Sequence, residues 1–110
     1  MKTIIEIQSV QDYYELIEKT PKSIVLFSAN WCGDCLFLKQ FLDQLVCDNQ
    51  EYQWYYVDRD KLLDICVENG IMGIPSFIAY KDGKKIGTFI SKQRKTKQEV
   101  QDFINSLGEY

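Results

Sequence analysis

The run Ser23-Ile24-Val25-Leu26-Phe27-Ser28 constrains the fold more than any other stretch. Four consecutive apolar residues leave no polar face, so a strand made from them has to be covered on both sides. Thr20-Pro21-Lys22 marks where it starts, because proline has no N–H with which to continue a preceding helix. The run leads into Trp31-Cys32-Gly33-Asp34-Cys35. Beyond that, Leu36, Phe37, Phe41, Leu42, Leu45 and Val46 recur at helical spacing to about Asn49. A strand runs into the two cysteines and a helix runs out of them.

The flanking segments extend this alternation. Residues 2–7 read as a short first strand with β-branched residues. Ser9 is placed to cap a helix reaching about Lys19, with Asp12 at its third position and Val10, Tyr13, Tyr14 and Ile17 on one face. Residues 52–58 read as a strand, and 61–69 as a short helix closed by Gly70. Two further strands, 76–81 and 85–91, flank Lys81-Asp82-Gly83-Lys84, where Asp-Gly suits a type I′ hairpin turn. Thr96-Lys97-Gln98-Glu99 is a capping box, followed by a stripe of Val100, Phe103, Ile104 and Leu107. The order β-α-β-α-β-α-β-β-α predicts a mixed α/β sheet, parallel first and antiparallel last, with helices on both faces.

The chain has 110 residues, enough for one domain, 1–110, that buries roughly 65% of its unfolded surface. It opens with no signal-peptide-like apolar segment and carries no run long enough to span a membrane, which predicts a cytoplasmic, membrane-free protein. In that compartment thiols stay reduced, so the four cysteines point to catalysis, metal binding or burial rather than a disulfide framework. There is no histidine, which excludes Cys-His and Ser-His nucleophile pairs and imidazole metal sites.

Net charge is −3, unevenly placed: from Lys81 to Lys97 there are seven basic residues against the single acid Asp82. The whole is too acidic for nucleic-acid binding, and the basic stretch reads as a solvated hairpin and loop. Trp54-Tyr55-Tyr56 lacks interleaved basic residues, so it reads as a central strand packing both faces rather than a base-stacking platform. Cys47 and Cys66 fall in apolar helical stretches and read as inert buried thiols. They form no second C-x-x-C, which argues against a four-cysteine zinc site.

With Cys32-Gly33-Asp34-Cys35 between strand and helix, the spacing reads first as a redox dithiol. Together with Gly73-Ile74-Pro75-Ser76-Phe77 and the closing hairpin, the chain resembles the thioredoxin family over essentially its whole length. The resemblance implies a thioredoxin fold and thiol–disulfide exchange with Cys32 attacking and Cys35 resolving. It implies a cis peptide before Pro75, and a substrate groove lined by Trp31, Gly33, Ile74, Pro75 and Ser91. Disulfide-containing proteins would be the substrates and a thioredoxin reductase-type protein the electron donor. No cofactor or metal is implied, and the chain is expected to act as a monomer. A helix N-terminus suits this chemistry, since its free N–H groups and partial positive charge stabilise a thiolate at Cys32. Two alternatives remain beside it: a thioredoxin-like adaptor with an incidental dithiol, and a cysteine-ligated metal or cluster module.

Departures from the family pattern bear on tuning. Asp34 stands where proline is common, and a carboxylate about 8 Å from the Cys32 sulfur costs its thiolate about 0.5–2 kcal/mol. That leans the couple toward a reductant, unless Lys92, Arg94 and Lys95 offset the charge. Leu26 stands where the family usually buries an aspartate, leaving Cys35 to lose its proton to water, to Asp34 or to the leaving thiolate. Slower resolution of the mixed disulfide is the expectation. Ser91 stands where the family usually has glycine, which narrows the groove.

Overall fold

The computed structural model describes residues 4–109. Five strands, β1 (Ile5–Glu6), β2 (Lys22–Ser28), β3 (Gln53–Asp58), β4 (Ser76–Lys81) and β5 (Lys84–Phe89), form one sheet in the order β1-β3-β2-β4-β5. β1 and β2 both run parallel to β3, whereas β4 runs antiparallel to β2 and to β5. Helices α1 (Val10–Lys19), α2 (Gly33–Asp48), α3 (Leu63–Glu68) and α4 (Lys97–Ser106) supply the covering layers.

The apolar run is β2, flanked by β3 and β4. Its side chains alternate between two cores. Val25 and Phe27 pack with Tyr13 and Ile17 of α1 and Ile65 of α3, while Ile24 and Leu26 pack with Leu38 and Leu45 of α2 and Val100 and Ile104 of α4. Each such aliphatic side chain contributes about 1.5–3 kcal/mol by leaving water. Trp54 and Tyr55 on β3 are buried on opposite faces, as a central strand requires.

The local signals hold. The Ser9 hydroxyl accepts the Asp12 N–H at 3.1 Å, and Thr96 and Glu99 form the reciprocal capping box. Such caps contribute about 1 kcal/mol each. Asp82 and Gly83 both have positive φ, 52° and 83°, the backbone that a type I′ turn demands.

Several boundaries differ from expectation. The first strand is only Ile5–Glu6; residues 2 and 3 of the expected strand lie outside the described residues. The Ile7 N–H nevertheless bonds the Tyr56 carbonyl at 2.9 Å. The third helix is Leu63–Glu68, inside the expected 61–69. β5 runs Lys84–Phe89, starting one residue before the expected 85–91 and stopping at Phe89, opposite Phe77. On α2, Cys35 sets the inward phase, so Leu38 at 1% exposure takes the place expected for Leu36, which is 49% exposed. The same phase turns Cys47 outward, so it is an exposed thiol rather than a buried one; Cys66 is buried as expected. Tyr14 also stands apart from its expected stripe, reaching out to bond Glu68 of α3 at 2.6 Å.

Candidate active site

β2 ends at Ser28 and α2 starts at Gly33, so the four residues between them carry the chain across the sheet's end. Cys32 is the N-cap of α2, in extended conformation, and its sulfur accepts the Cys35 N–H at 3.4 Å. A sulfur thus holds the place usually taken by a Ser, Thr or Asp oxygen, at the positive end of a 16-residue helix. Cys35 lies one turn in, almost fully buried, with its thiol free like that of Cys32. Burial pushes the Cys35 thiol up to about 11, reinforced by its contact with Cys32 and opposed by hydrogen bonding from Ser28 and the Ala29 backbone.

A second loop faces Cys32. The Ile74–Pro75 peptide is cis, and the Cys32 thiol donates to the Ile74 carbonyl at 3.8 Å. Ser76 braces the loop through its hydroxyl to the Gly73 carbonyl at 2.6 Å. Gly73 is glycine for space: a Cβ there would stand 2.5 Å from the Ser91 carbonyl oxygen and 2.6 Å from the Lys92 Cα. The loop after β5 therefore lies directly against the loop before β4. Ser91 and Ile74 are neighbours because both backbones close on Gly73.

Trp31 is 62% exposed, and its indole N–H donates to Asp60 at 2.6 Å with Arg59 stacked over the ring. Asp58 aims Asp60 by accepting the N–H groups of Asp60 and Lys61. Gly33 is exposed, with open space where a side chain would project.

The charged groups around the dithiol are paired. Arg94 binds Asp34 at 2.9 Å while lying 4.3 Å from the centre of the Phe37 ring, so the first turn of α2 clasps the loop after β5. Lys95 departs from the solvated-loop reading: it is 1% exposed. Its ammonium donates to the Ser91 carbonyl, the Ser91 hydroxyl and the Gln93 carbonyl at 3.2, 3.0 and 3.0 Å, which uses all three of its hydrogens. Burial pulls its pKa below the usual lysine range, while the charges of Asp34, Cys35, Glu99 and Cys32 resist that shift. Ser91 is thus a strut held by a buried cation.

Leu26 is buried at 2% exposure on the α2 side of the sheet, with no carboxylate in its place. Two groups near Cys35 escaped the sequence reading. Ser28 looks like a plain strand end, and Tyr56 like one more core aromatic. Their signal was period-two alternation, since Ser28 follows Leu26 on the same face of β2. Tyr56 pairs with Leu26 across the β2–β3 ladder. Cys66 lies remote from this site in sequence, on α3, with its thiol pushed up by burial. Among the described residues no group of three or more Cys, Asp or Glu is placed to hold a metal ion.

The sequence profile described as Thioredoxin matches residues 4–106. The chain belongs to the thioredoxin family. It is 30% identical over 96 residues to mitochondrial thioredoxin-2 of Schizosaccharomyces pombe, covering 87% of this chain and 72% of that protein. Identity to the thioredoxin of Oryctolagus cuniculus is also 30%, over 104 residues, covering 93% of this chain and 96% of that one. Among solved structures, the oxidised form of mitochondrial thioredoxin 3 from Saccharomyces cerevisiae superposes with a TM-score of 0.80 at 23% identity, covering 97% and 95% of the two chains, which shows the shared fold.

Family membership makes the protein a thiol–disulfide oxidoreductase, with disulfide-containing substrates and a reductase-type electron donor in the family's general manner. The adaptor and metal-module alternatives are not favoured. The cytoplasmic expectation is overturned, because the similar proteins include mitochondrial thioredoxins. The inference failed because composition and cysteine usage do not tell one thiol-reducing compartment from another. Among the described residues no helix is long and apolar enough to cross a membrane.

Proposed function

We propose that Cys32 attacks a protein disulfide and that Cys35 then attacks Cys32, releasing the reduced substrate and closing a Cys32–Cys35 disulfide. The observation that carries this is the N-cap geometry: the Cys32 sulfur accepts a backbone N–H at the start of α2 and faces the Ile74 carbonyl. The Cys35 N–H and the N-terminus of α2 are both directed at the sulfur that attacks. Cys35, buried and with its thiol pushed up, stays protonated until the mixed disulfide has formed.

The substrate chain lies across Trp31, Gly33, Ile74, Pro75 and Ser91. Trp31 supplies a flat apolar wall fixed by Asp60, and the open space at Gly33 lets the partner approach. When Cys32 enters the mixed disulfide its thiol proton is gone, which frees the Ile74 peptide to pair with extended substrate backbone. Asp34 tunes the couple toward reduction, with Arg94 moderating it, and Leu26 in place of a buried carboxylate slows resolution of the mixed disulfide. The protein acts as a single-domain monomer on protein partners, without nucleic acid or membrane, and its compartment follows its mitochondrial relatives.

Disulfide reduction coupled to a thioredoxin reductase tests this reading. The unaltered chain turns over, and Cys35→Ser stalls with substrate bound through Cys32. Equal turnover by Cys35→Ser would remove the assignment.

A further inference from the structure

The front of the site offers Cys35 no free base. The Asp34 carboxylate is engaged by Arg94, and all three Lys95 ammonium hydrogens are held by Ser91 and Gln93. Behind the sulfur, however, a cleft of about 350 Å3 is lined by Glu6, Ser28, Asn30, Cys35, Lys39 and Tyr56, with Leu26 among its apolar neighbours. It is wide enough to admit solvent. Strand register builds it: Leu26 and Ser28 share one face of β2, and Tyr56 stands beside Leu26 on β3. Ser28 is 3% exposed and lines the cleft together with Cys35 and Tyr56, where its hydroxyl opposes the upward push of burial on both of their pKa values. Glu6, on the edge strand β1, stands exposed and acts on Tyr56 through its charge. Polar groups therefore run from the buried thiol through Ser28 and Tyr56 to the surface.

We propose that Cys35 is deprotonated through this rear cleft, with the Ser28 hydroxyl as the group that takes its proton and Tyr56 as the residue that positions that hydroxyl. The proposal rests on the Cys32/Cys35 roles given above. In the resolving step the Sγ proton of Cys35 passes to Ser28 Oγ, while the original Ser28 hydroxyl proton passes to a solvent base in the cleft. The Cys35 thiolate attacks Cys32, the Cys32–Cys35 bond forms, and the bond to the substrate sulfur breaks. The substrate leaves as a thiolate carrying the electron pair and is protonated from solvent. Ser28 is left neutral throughout.

Among the described residues, the groups that face Cys35 or its cleft are Cys32 and Lys39 of α2, Ser28 at the end of β2, the Ala29 backbone and Asn30 after it, Tyr56 of β3, Glu6 of β1 and Lys95 before α4. Of these, Ser28 combines an influence on the thiol and access to the cleft with a hydroxyl that can both accept and give a proton, which the Asn30 amide cannot do.

Stopped-flow reaction of the reduced protein with 5,5′-dithiobis(2-nitrobenzoate), in a Cys47→Ser background that removes the exposed thiol outside the site, separates the two steps. Attack by Cys32 releases one equivalent of coloured thiolate, and resolution by Cys35 releases the second. Ser28→Ala slows the second release by about 10- to 100-fold, the effect of losing a hydrogen bond to a charged group, and leaves the first unchanged. Ser28→Thr, which keeps the hydroxyl, restores it. Tyr56→Phe slows the second release by a smaller factor. The solvent deuterium effect on the second release falls in Ser28→Ala. An unchanged second release in Ser28→Ala, or equal slowing of both, overturns the relay. Failure of the unaltered chain to release the first equivalent would instead overturn the nucleophile assignment beneath it.

Discussion

Cys32 and Cys35 carry the same thiol and sit one helical turn apart, yet they face different surroundings. Cys32 caps the helix, receives a backbone N–H and looks toward Ile74, beside an exposed tryptophan and a paired Asp34–Arg94 rim. Cys35 is enclosed by the sheet, with a buried Leu26 beneath it and its thiol pushed up to about 11. In the proposed exchange, this contrast divides the labour between two sulfurs three positions apart. One sulfur is held at a helix N-terminus facing the Ile74 loop, the other where charge is costly until a partner sulfur is ready to receive it.

The hardest test of that contrast is removal of one sulfur at a time. Cys35→Ser loses turnover and accumulates a substrate adduct visible by intact mass, whereas Cys32→Ser loses turnover without any adduct. Adducts from both variants would erase the distinction between the two positions. A milder test supplies the buried side with a base. Leu26→Asp speeds release of the mixed disulfide by about tenfold, below the ~10²–10⁴-fold range of well-placed general bases, when measured by single-turnover quench. It also costs about 2–5 kcal/mol of stability in urea unfolding, as for loss of any buried leucine. Release no faster than in the unaltered chain would mean that proton removal from Cys35 does not limit resolution.

On the Cys32 side the expected effects are smaller. Asp34→Pro raises the reduction potential by about 10–40 mV, the Coulomb cost of that carboxylate converted for a two-electron couple. The pairing with Arg94 places the shift at the low end of that span. Arg94→Ala moves the potential the other way, because an unpaired Asp34 destabilises the thiolate. An unchanged or lowered potential in Asp34→Pro would contradict the tuning role of that residue.

A separate test concerns stability and pH rather than the reaction. Cysteine and tyrosine ionise near 9.0 and 10.0 when unfolded, but burial holds Cys35 up to about 11 and Tyr56 up to about 12, and raises Tyr13 and Tyr80 as well. Above pH 9 the unfolded chain sheds protons that the folded chain keeps. Stability is therefore full below pH 9 and falls as pH climbs toward 12. Urea titrations across that range show the decline, and Tyr13→Phe, lacking one such group, makes it shallower. A flat profile would contradict the burial of these hydroxyls and of the Cys35 thiol.

Much of the fold was legible because its signals are local. Ser9 with Asp12, Asp82-Gly83, and Thr96 with Glu99 each satisfy backbone groups within a few residues, so their geometry follows from chemistry that neighbours alone provide. The unbroken apolar run of β2 announced a strand with two covered faces for the same reason. The misplacements arose where a longer-range partner decided the outcome. Leu36 and Leu38 are indistinguishable in type, and the docking angle of α2 chose between them. Cys47 looked apolar by its neighbours but lies on the outer side of that helix. Lys95 is the exception: its oxygen partners on Ser91 and Gln93 lie within four positions, but nothing in residue type shows that this loop turns the ammonium inward.

The active site divides in the same way. The sequence by itself determined that two thiols stand one turn apart at the mouth of a helix, since spacing and the strand-to-helix transition are properties of a single short segment. Only the tertiary structure decided what each thiol meets. Arg94 reaches Asp34 across 60 positions, Ile74 reaches Cys32 across 42, and Tyr56 comes beside Leu26 through the β2–β3 register. Those contacts depend on how the sheet and helices close on one another, and that closure is set by the two cores as a whole rather than by any segment of the chain.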